Sequence, residues 1–346
     1  MTRRADADVK SRRFVVRRGV HEPLRIGTLG AARITPSALV RPARETAGVE
    51  ILAVAARDPD RARKFAARHG IPRVHASYEA LLDDPDIEAI YNPLPNALHC
   101  EWTLRALDAG KHVLCEKPLG SNEVEAQRMV AAAARTGLVV AEAFHWRYHP
   151  LAARMREILD SGELGAVRHV DAGMCIPLPL LGDIRYQLAL AGGALMDVGC
   201  YPVSIVRFLA GAEPEVVSAR VKEIRPGVDR FAETELRFPG GVTGRVRCAL
   251  LSARLLELRV RVECEHGEFR VFNPVAPHFF HRMRVQSPAG ERRERIPGDA
   301  TYTGQLRAFV RWVREGVPMP TDSAHGAANM RVIDAIYRAA GLEPRG

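Results

Sequence analysis

The first β-rich run of this chain reads Leu24-Arg25-Ile26-Gly27-Thr28-Leu29, and Gly30 and a helix-like stretch follow it. A second apolar run, Glu50–Ala55, precedes a helix that Asp58 would cap and Gly70 would end. Three further apolar runs continue the alternation: Ile87–Tyr91, His112–Cys115 and Leu138–Ala141. Strands that alternate with helices in this way predict βαβ units. We therefore expect an N-terminal Rossmann domain over residues 23–146, with a doubly wound parallel sheet.

The pattern changes after Pro150, where one helix leads into strands with period-two alternation. The predicted strands are Val167–Cys175, Val216–Ile224, Phe231–Phe238, Val242–Leu251, Leu256–Cys264 and Phe269–Phe272. Pro239-Gly240-Gly241, between two of them, is typical of a hairpin turn. Sequential strands with hairpin signals predict a C-terminal domain, residues 147–346, built on a large, mainly antiparallel open sheet. Residues 1–22 are predicted to be a basic, disordered tail.

The bulk composition excludes several classes of protein. The 346 residues are 47% hydrophobic and 26% charged, which is typical of a globular chain. No uninterrupted apolar run approaches the roughly 20 residues that cross a bilayer, and the Arg-rich N-terminus lacks the apolar core of a secretory signal. The six cysteines form no C-x-x-C pair, so free thiols in a reducing compartment and a cytoplasmic location are predicted. The net charge of +9 forms no dense basic stripe outside the tail, so we expect neither a nucleic-acid nor a membrane partner.

A partial dinucleotide fingerprint follows the first strand. The glycines of a full G-x-G-x-x-G motif allow a tight turn and the close approach of backbone N–H groups to a pyrophosphate. Gly30 fills the first position, whereas Ala32 and Thr35 stand at the other two. Alone, this pattern is as typical of an ordinary strand–turn–helix junction as of a dinucleotide site. Its place at the start of a βαβ array favours the dinucleotide site. The predicted contacts in this turn are Gly30, Ala32, Arg33 and Ile34.

The residue after the second strand indicates which dinucleotide is bound. An NAD site usually places a carboxylate there, which binds the ribose hydroxyls. Here Arg57 follows Ala56, and its guanidinium could bind a 2′-phosphate. The alternative is that Arg57 is solvated and that Asp58 binds the ribose, but Asp58 is already the predicted helix cap. The sequence therefore favours NADP over NAD as the cofactor.

A Pro-rich loop, Asn92–His99, follows the third apolar run. Carboxyl ends of parallel strands are where open α/β sheets bind ligands, so Leu94, Pro95 and His99 are predicted to contact the dinucleotide. The competing interpretation of His99 is a helix histidine that is satisfied by its neighbours.

The segment Cys115-Glu116-Lys117-Pro118 brings an ammonium to the same edge of the sheet. Glu116 and Lys117 are therefore also predicted to lie against the cofactor. A solvated surface lysine is the common alternative for Lys117. Pro118 weakens that alternative, because an X-Pro bond can be cis at modest cost and would hold Lys117 in a sharp turn.

A glycine-rich segment later in the chain reads Gly192-Gly193-Ala194-Leu195-Met196-Asp197-Val198-Gly199-Cys200-Tyr201. Asp197 and Tyr201 are four residues apart and would share one face of a helix. Alone, Tyr201 is more typical of a half-buried core aromatic. With Lys117 within about 4–6 Å, however, the pKa of the phenol would fall toward neutrality, as proton transfer requires.

No metal site is predicted from the sequence. His145 and His149 are four residues apart and His278 and His281 are three apart, but neither pair has a third ligand beside it.

Three of these segments together resemble the Gfo/Idh/MocA oxidoreductases, over about Leu24 to Leu342. They are Glu116-Lys117-Pro118, Ala141-Glu142-Ala143-Phe144 and Gly192–Tyr201. The chain resembles the branch with tyrosine rather than histidine at position 201, which includes dimeric dihydrodiol dehydrogenases, glucose–fructose oxidoreductases and sugar-3-ketoreductases.

The resemblance implies an NADP(H)-dependent oxidoreductase that acts on a secondary alcohol or ketone of a sugar, a sugar derivative or a vicinal diol. It implies that Tyr201 is the acid/base, that Lys117 assists it and that the Lys117–Pro118 bond is cis. Asp197 would orient this pair or hold a substrate hydroxyl, and Asp183 and Arg185 would contact the substrate. The C-terminal sheet would form the interface of a homodimer or tetramer.

Two alternatives remain open at this point. In the first, NADP stays bound throughout the cycle, and the enzyme couples the oxidation of one sugar to the reduction of another. In the second, the protein is a non-catalytic, NADP-sensing regulator on the same fold.

Overall fold

Two β-sheets, one of six strands and one of eight, organise the described part of the chain. The structure is a computed structural model that describes residues 22–253 and 256–346. The predicted basic tail, residues 1–22, lies outside the described residues apart from Glu22.

The first sheet is parallel throughout and has the strand order β3-β2-β1-β4-β5-β6. Its strands are β1 (Leu24–Leu29), β2 (Val49–Ala55), β3 (Arg73–His75), β4 (Ala89–Asn92), β5 (His112–Cys115) and β6 (Val140–Glu142). A π-helical turn, Pro36–Val40, continues as α1 (Arg41–Glu45), and the other helices are α2 (Pro59–His69), α3 (Tyr78–Leu82), α4 (His99–Asp108) and α5 (Glu123–Thr136). The strand order reverses between β1 and β4, so the predicted doubly wound fold is confirmed.

The boundaries of α2 show how local signals set these elements. The Asp58 carboxylate accepts hydrogen bonds from the backbone N–H groups of Asp60 at 2.9 Å and Arg61 at 3.3 Å. Pro59 is the first helical residue, and Gly70 ends the helix with a φ of 72°. The predicted cap, start and end of this helix are therefore confirmed.

The second sheet has the strand order β14-β13-β12-β11-β7-β10-β9-β8. Its strands are β7 (Val167–Cys175), β8 (Glu215–Arg225), β9 (Val228–Arg237), β10 (Thr243–Ala249), β11 (Glu257–Cys264), β12 (Glu268–Phe272), β13 (Arg282–Ser287) and β14 (Gly290–Glu294). The α-helices of this half are α6 (Pro150–Asp160), α7 (Cys200–Ala210), α8 (Thr301–Glu315) and α9 (Ser323–Ala339). The predicted, mainly antiparallel sheet is confirmed. β7 and β10 are parallel neighbours, because α7 and the β8–β9 hairpin form a crossover between them.

The last two long helices tie the second half of the chain to the first sheet. Leu306 and Phe309 of α8 are fully buried in a core that they share with Leu24 and Ile26 of β1. Helix α9 packs against α5, α7 and β8. The two sheets are thus held together by helices from the C-terminal end of the chain. The domain boundaries at 146/147 stay a prediction.

Among the described residues, one stretch, Leu188–Ala210, is long and apolar enough to cross a membrane by length and composition alone. Its mean hydropathy is 1.5, and 83% of the window is buried inside the protein. Core helices of globular proteins pass the same test. Helix α7, which makes up the second half of this stretch, packs against β7, β10 and α9 as such a core helix does.

Candidate active site

Lys117 and Asp197 form an ion pair that joins the end of β5 to the glycine-rich segment. The Lys117 Nζ donates to the Asp197 carbonyl at 2.8 Å and to its carboxylate Oδ1 at 3.2 Å. The two side chains are only 15% and 16% exposed. Burial opposes the charge on Lys117, but Asp197, Cys200 and Glu116 together outweigh it, so the pKa of Lys117 is raised. The Lys117–Pro118 bond is cis, as the resemblance implied.

Tyr201 lies in the first turn of α7, directly after a π-helical turn, Leu195–Gly199, that carries Asp197. The Nζ of Lys117 lies 5.2 Å from the centre of the Tyr201 ring. The phenol is 5% exposed, and its hydroxyl lies 3.2 Å from the Nε2 of His145. The structure therefore brings together Lys117, Asp197 and Tyr201, which are far apart in the chain.

The expected lowering of the phenol's pKa is contradicted by this geometry. Burial raises the pKa of Tyr201 well above its usual value, and the neighbouring acidic groups of Tyr302 and Glu116 raise it further. The Lys117 ammonium lies over the Tyr201 ring, and it is paired with the Asp197 carboxylate. Tyr201 is therefore a neutral phenol, which can donate a proton but is a poor base by itself.

A chain of charged groups connects Asp197 to the turn after β1. The Nε of Arg185 donates to Asp197 Oδ2 at 2.8 Å, and its Nη1 donates to Asp183 Oδ1 at 3.1 Å. Asp183 accepts at its other oxygen from Arg33 Nη2 at 3.0 Å. Burial alone would raise the pKa of Asp183, but the backbone N–H and guanidinium of Arg185 outweigh it and lower that pKa. The predicted substrate residues thus lie between the ion pair and the predicted phosphate turn.

The turn after β1 has the backbone that a dinucleotide site needs. Gly30 has a φ of 83°, in the left-handed region that favours glycine. Ala32 and Ile34 are half-buried, and Arg33 is exposed. A cleft of about 610 Å³ lies beside the turn, between the first helix and α2, and no carboxylate is among the described residues that line it. Its cationic lining residues are Arg33, Arg41, Arg44, Arg61, Lys64 and Arg68.

Arg57, the predicted 2′-phosphate ligand, is exposed just beyond the end of β2 and is not among the residues that line this cleft. Sequence reasoning missed Arg61, whose Nη2 donates to the Ala31 carbonyl at 3.3 Å. Arg61, Lys64 and Arg68 follow helical spacing along α2, and that periodicity was the signal that could have found them.

Four further predicted cofactor contacts follow β4 and β5 in the chain. Leu94 is buried beside Gly30, where a Cβ on the glycine would lie 3.4 Å from Leu94 Cδ2. Pro95 is half-buried at the start of the next turn. The buried Glu116 accepts a hydrogen bond from the Tyr91 hydroxyl at 2.8 Å.

The fourth of these predicted contacts, His99, contacts backbone carbonyls inside the protein. Its ring nitrogens lie 2.7 Å from the Leu94 carbonyl and 2.8 Å from the Pro118 carbonyl. Burial lowers the pKa of His99 to about 4. His99 therefore holds the β4 loop against the Lys117–Pro118 turn, and its contact with a cofactor stays a prediction.

A buried ion pair that the sequence did not indicate fixes the glycine-rich segment. Gly193 has a φ of 137°, and a Cβ there would lie 2.1 Å from Asp229 Oδ1. Asp229 accepts from the Leu195 backbone N–H at 2.7 Å and from Arg345 Nη2 at 2.6 Å. Arg345 also donates to the Gly192 carbonyl at 2.9 Å. Only glycine fits at position 193, and the network sets where the turn that carries Asp197 begins.

Two family models match the chain. The model described as the oxidoreductase family with NAD-binding Rossmann fold matches residues 24–144, and the GFO/IDH/MocA C-terminal domain matches residues 152–270. The chain is 40% identical over 320 residues to the dTDP-3,4-didehydro-2,6-dideoxy-alpha-D-glucose 3-reductase of Actinomadura kijaniata, covering 91% of this chain and 95% of the relative. It is 36% identical over 316 residues to D-xylose 1-dehydrogenase (NADP(+)) 2 of Haloferax volcanii, covering 91% and 96%.

A solved structure shows the same architecture. It is the crystal structure of a 3-ketoreductase from Actinomadura kijaniata in complex with NADP and TDP-benzene. The TM-score is 0.86 at 30% sequence identity, and the superposition covers 92% of this chain and 98% of the other.

The ion pair leads to a prediction about Lys117. In Asp197→Asn the ammonium loses its carboxylate while burial still opposes its charge, so the pKa of Lys117 should fall. NMR titration of protein with ¹⁵N-labelled lysines would measure this shift, with the signal assigned through Lys117→Arg. Asp171→Asn, which removes a carboxylate paired with Arg259, is the matched control. An unchanged Lys117 titration would show that Asp197 does not hold the charge.

Proposed function

This chain belongs to the Gfo/Idh/MocA family of oxidoreductases, and on that premise we propose that Tyr201 and Lys117 carry out its proton chemistry on a sugar or vicinal diol. The protein is an NADP-dependent oxidoreductase that acts on the CH–OH groups of carbohydrates. The finer proposal is that it interconverts a secondary alcohol and a ketone, with Tyr201 as the acid/base.

The observation that carries the proposal is the meeting of Lys117, Asp197 and Tyr201 in one half-buried cluster. Lys117 directly follows β5, and the carboxyl edge of an open α/β sheet is where such folds bind ligands. An ammonium, a carboxylate and a phenol at this edge are the groups that can hold and move a proton next to a bound dinucleotide.

The residues present fit NADP. The turn at Gly30 allows the close approach of a phosphate, and the basic cleft beside it suits a ligand with several negative charges. Arg57 and Arg61 are the two candidates for the 2′-phosphate, since both lie near the end of β2. When bound, the nicotinamide supplies or accepts the hydride.

Each group of the cluster has a distinct task in the reduction of a ketone. The neutral Tyr201 donates its phenolic proton to the carbonyl oxygen. The Lys117 ammonium stabilises the negative charge that develops on that oxygen, and Asp197 keeps the ammonium charged and in place. Arg185, which reaches Asp197 and Asp183, presents the guanidinium that would bind a substrate hydroxyl.

The first test combines a substrate screen with Tyr201→Phe. Purified protein is assayed by the absorbance of NADPH with D-xylose, D-glucose and trans-1,2-cyclohexanediol, and the best substrate is used for the variant. Tyr201→Phe should lower kcat by about 10²–10⁴-fold, the usual contribution of a general acid/base, while the Kd for NADPH changes little. Tyr148→Phe, a half-buried tyrosine whose hydroxyl contacts Thr321, is the control. Near-normal turnover of Tyr201→Phe would remove Tyr201 from this role.

The second test concerns the 2′-phosphate. Arg57→Ala should raise the Kd for NADPH by about tenfold or more, equivalent to roughly 1.4 kcal/mol, and leave the Kd for NADH nearly unchanged. Fluorescence titration with both nucleotides would measure this, with Arg61→Ala compared side by side. If the selective loss occurs in Arg61→Ala instead, the 2′-phosphate lies in the cleft and the assignment of Arg57 is wrong.

We further propose that the protein is a homodimer or tetramer through the outer face of the second sheet. Helices α7 and α9 cover the inner face, whereas Phe272 on β12 and the nearby Phe279 and Phe280 are exposed. Large apolar side chains that are rimmed by charge mark interaction surfaces.

Sedimentation velocity tests this proposal. The wild-type protein should sediment as a dimer or tetramer, and Phe272→Glu should shift it toward the monomer, because a charge would be buried in the interface. Val124→Glu, at an exposed apolar position on α5 and away from this sheet, is the control. A monomeric wild-type protein would contradict the proposal.

A further inference from the structure

A row of hydrogen-bonding groups leads away from the hydroxyl of Tyr201. This hydroxyl lies 3.2 Å from His145 Nε2, and the Nδ1 of His145 lies 2.8 Å from the Thr301 hydroxyl. The Thr301 hydroxyl in turn lies 3.4 Å from the Nδ1 of His278. His278 lines a cavity of about 1110 Å³ at the outer side of the second sheet.

We propose that Tyr201, His145, Thr301 and His278 form a proton relay, which carries the proton of the substrate alcohol to water in this cavity during oxidation. The inference rests on the proposed function, because Tyr201 must be the group that contacts the reacting oxygen. It adds a path for the proton and assigns roles to His145, Thr301 and His278.

The bonds that surround His278 give the relay a direction. The backbone N–H of Thr301, which can only donate, lies 3.4 Å from His278 Nδ1, so this nitrogen accepts and Nε2 carries the ring hydrogen. The Thr301 hydroxyl can then donate to the same nitrogen, sharing its lone pair with the backbone N–H in a three-centre bond, and accept from the Nδ1–H of His145. His145 Nε2 is left to accept from the Tyr201 hydroxyl. Every donor in the row points outward, toward the cavity.

In this arrangement the proton moves as one hop per group. As the hydride leaves the substrate carbon, the substrate O–H breaks and its proton bonds to the Tyr201 oxygen, which gives its own proton to His145 Nε2. His145 releases its Nδ1 proton to the Thr301 oxygen. Thr301 passes its hydroxyl proton to His278 Nδ1, and His278 releases its Nε2 proton to water. The alcohol becomes a ketone, the hydride goes to NADP⁺, and one proton reaches the cavity.

The burial of the inner groups explains why such a path is useful. Tyr201, His145 and Thr301 are 5%, 4% and 0% exposed, so bulk water does not reach the phenol from this side. Burial raises the pKa of Tyr201 well above its usual value and lowers the pKa of His145 to about 3. A phenolate or an imidazolium would therefore be costly. In the relay neither group has to carry a charge, because each gains one proton as it loses another.

The other histidines around the cavity are not part of the row. His149 Nδ1 accepts from the Leu151 backbone N–H, and His281 Nε2 accepts from the Ile296 backbone N–H. A cavity of this size has room for many water molecules, each of which takes about 30 Å³, even if a second copy of the chain covers its mouth.

Thr301 offers a matched pair of variants that tests the relay. Thr301→Val keeps the shape of the side chain but removes the hydroxyl, whereas Thr301→Ser keeps the hydroxyl. We expect Thr301→Val to lower kcat for alcohol oxidation at least about tenfold with KM unchanged, and Thr301→Ser to retain most of the activity. In the wild type and in Thr301→Ser, the solvent deuterium isotope effect on kcat should arise from several transferred protons. In Thr301→Val it should arise from fewer.

A second measurement does not depend on turnover. NMR of protein with ¹⁵N-labelled histidines should show His145 as the neutral tautomer with its hydrogen on Nδ1. In Thr301→Val this hydrogen has no acceptor, so its chemical shift should move away from the value of a hydrogen-bonded N–H. His145→Gln, which cannot pass a proton between two ring nitrogens, should reproduce the kinetic loss. His281→Gln changes the wall of the same cavity without touching the row and is the control.

The outcomes separate the relay from the proposed function. If Tyr201→Phe remains active, the proposed function fails and the relay loses its first group. If Tyr201→Phe is inactive while folded Thr301→Val and His145→Gln turn over normally, only the relay is overturned. Equal losses in Thr301→Ser and Thr301→Val, or a raised KM in both, would also overturn it, because the hydroxyl would then have no special part.

Discussion

The ion pair between Lys117 and Asp197 is the constraint on which the rest of the site depends. The two residues lie 80 positions apart in sequence, and Asp197 is the carboxylate that pairs with the largely buried Lys117 ammonium. A buried charge without its partner is strongly destabilising, so this pair favours the docking of the loop after β5 against the turn before α7. Docking them also places Tyr201 against Lys117. The same contact therefore orders the site and joins the two halves of the chain.

The ion pair and the burial around it decide which groups of the site are charged and which are neutral. Lys117 keeps its charge because Asp197 is beside it, whereas Tyr201 and His145 stay neutral because burial disfavours their ionised forms. A fixed positive charge suits the stabilisation of an oxyanion, and neutral groups in a row suit the passage of a proton. Lys117 thus stabilises the oxyanion, whereas Tyr201 and His145 pass the proton. A single tyrosine with a low pKa would have to do both.

Sequence reasoning was most successful where the signal is local. The bounds of β1, β5 and β7 agree residue for residue with the predicted ones, because apolar runs mark their ends. β13 and β14 were missed, since Arg282–Ser287 and Gly290–Glu294 are rich in charge and offer few apolar positions. Lys117, Asp197 and Tyr201 could be found because their segments are distinctive in themselves.

The rest of the site depends on contacts between distant segments, which the sequence does not display. His145 was considered only as half of a metal pair, because its neighbour in the structure, Tyr201, is 56 positions away. The pKa of Tyr201 was predicted in the wrong direction, because its burial could not be read from its own segment. Asp229 and Arg345 gave no signal at all, being single charges 116 positions apart.

The place of Arg345 has a consequence for substitutions far from the reacting groups. Its guanidinium is enclosed beneath the backbone that leads into the active site, where it contacts Asp229 and the Gly192 carbonyl. A substitution that removes this guanidinium would leave the buried Asp229 carboxylate without its cation. The glycine-rich turn would then lose its support from below, although no group that contacts the substrate had changed.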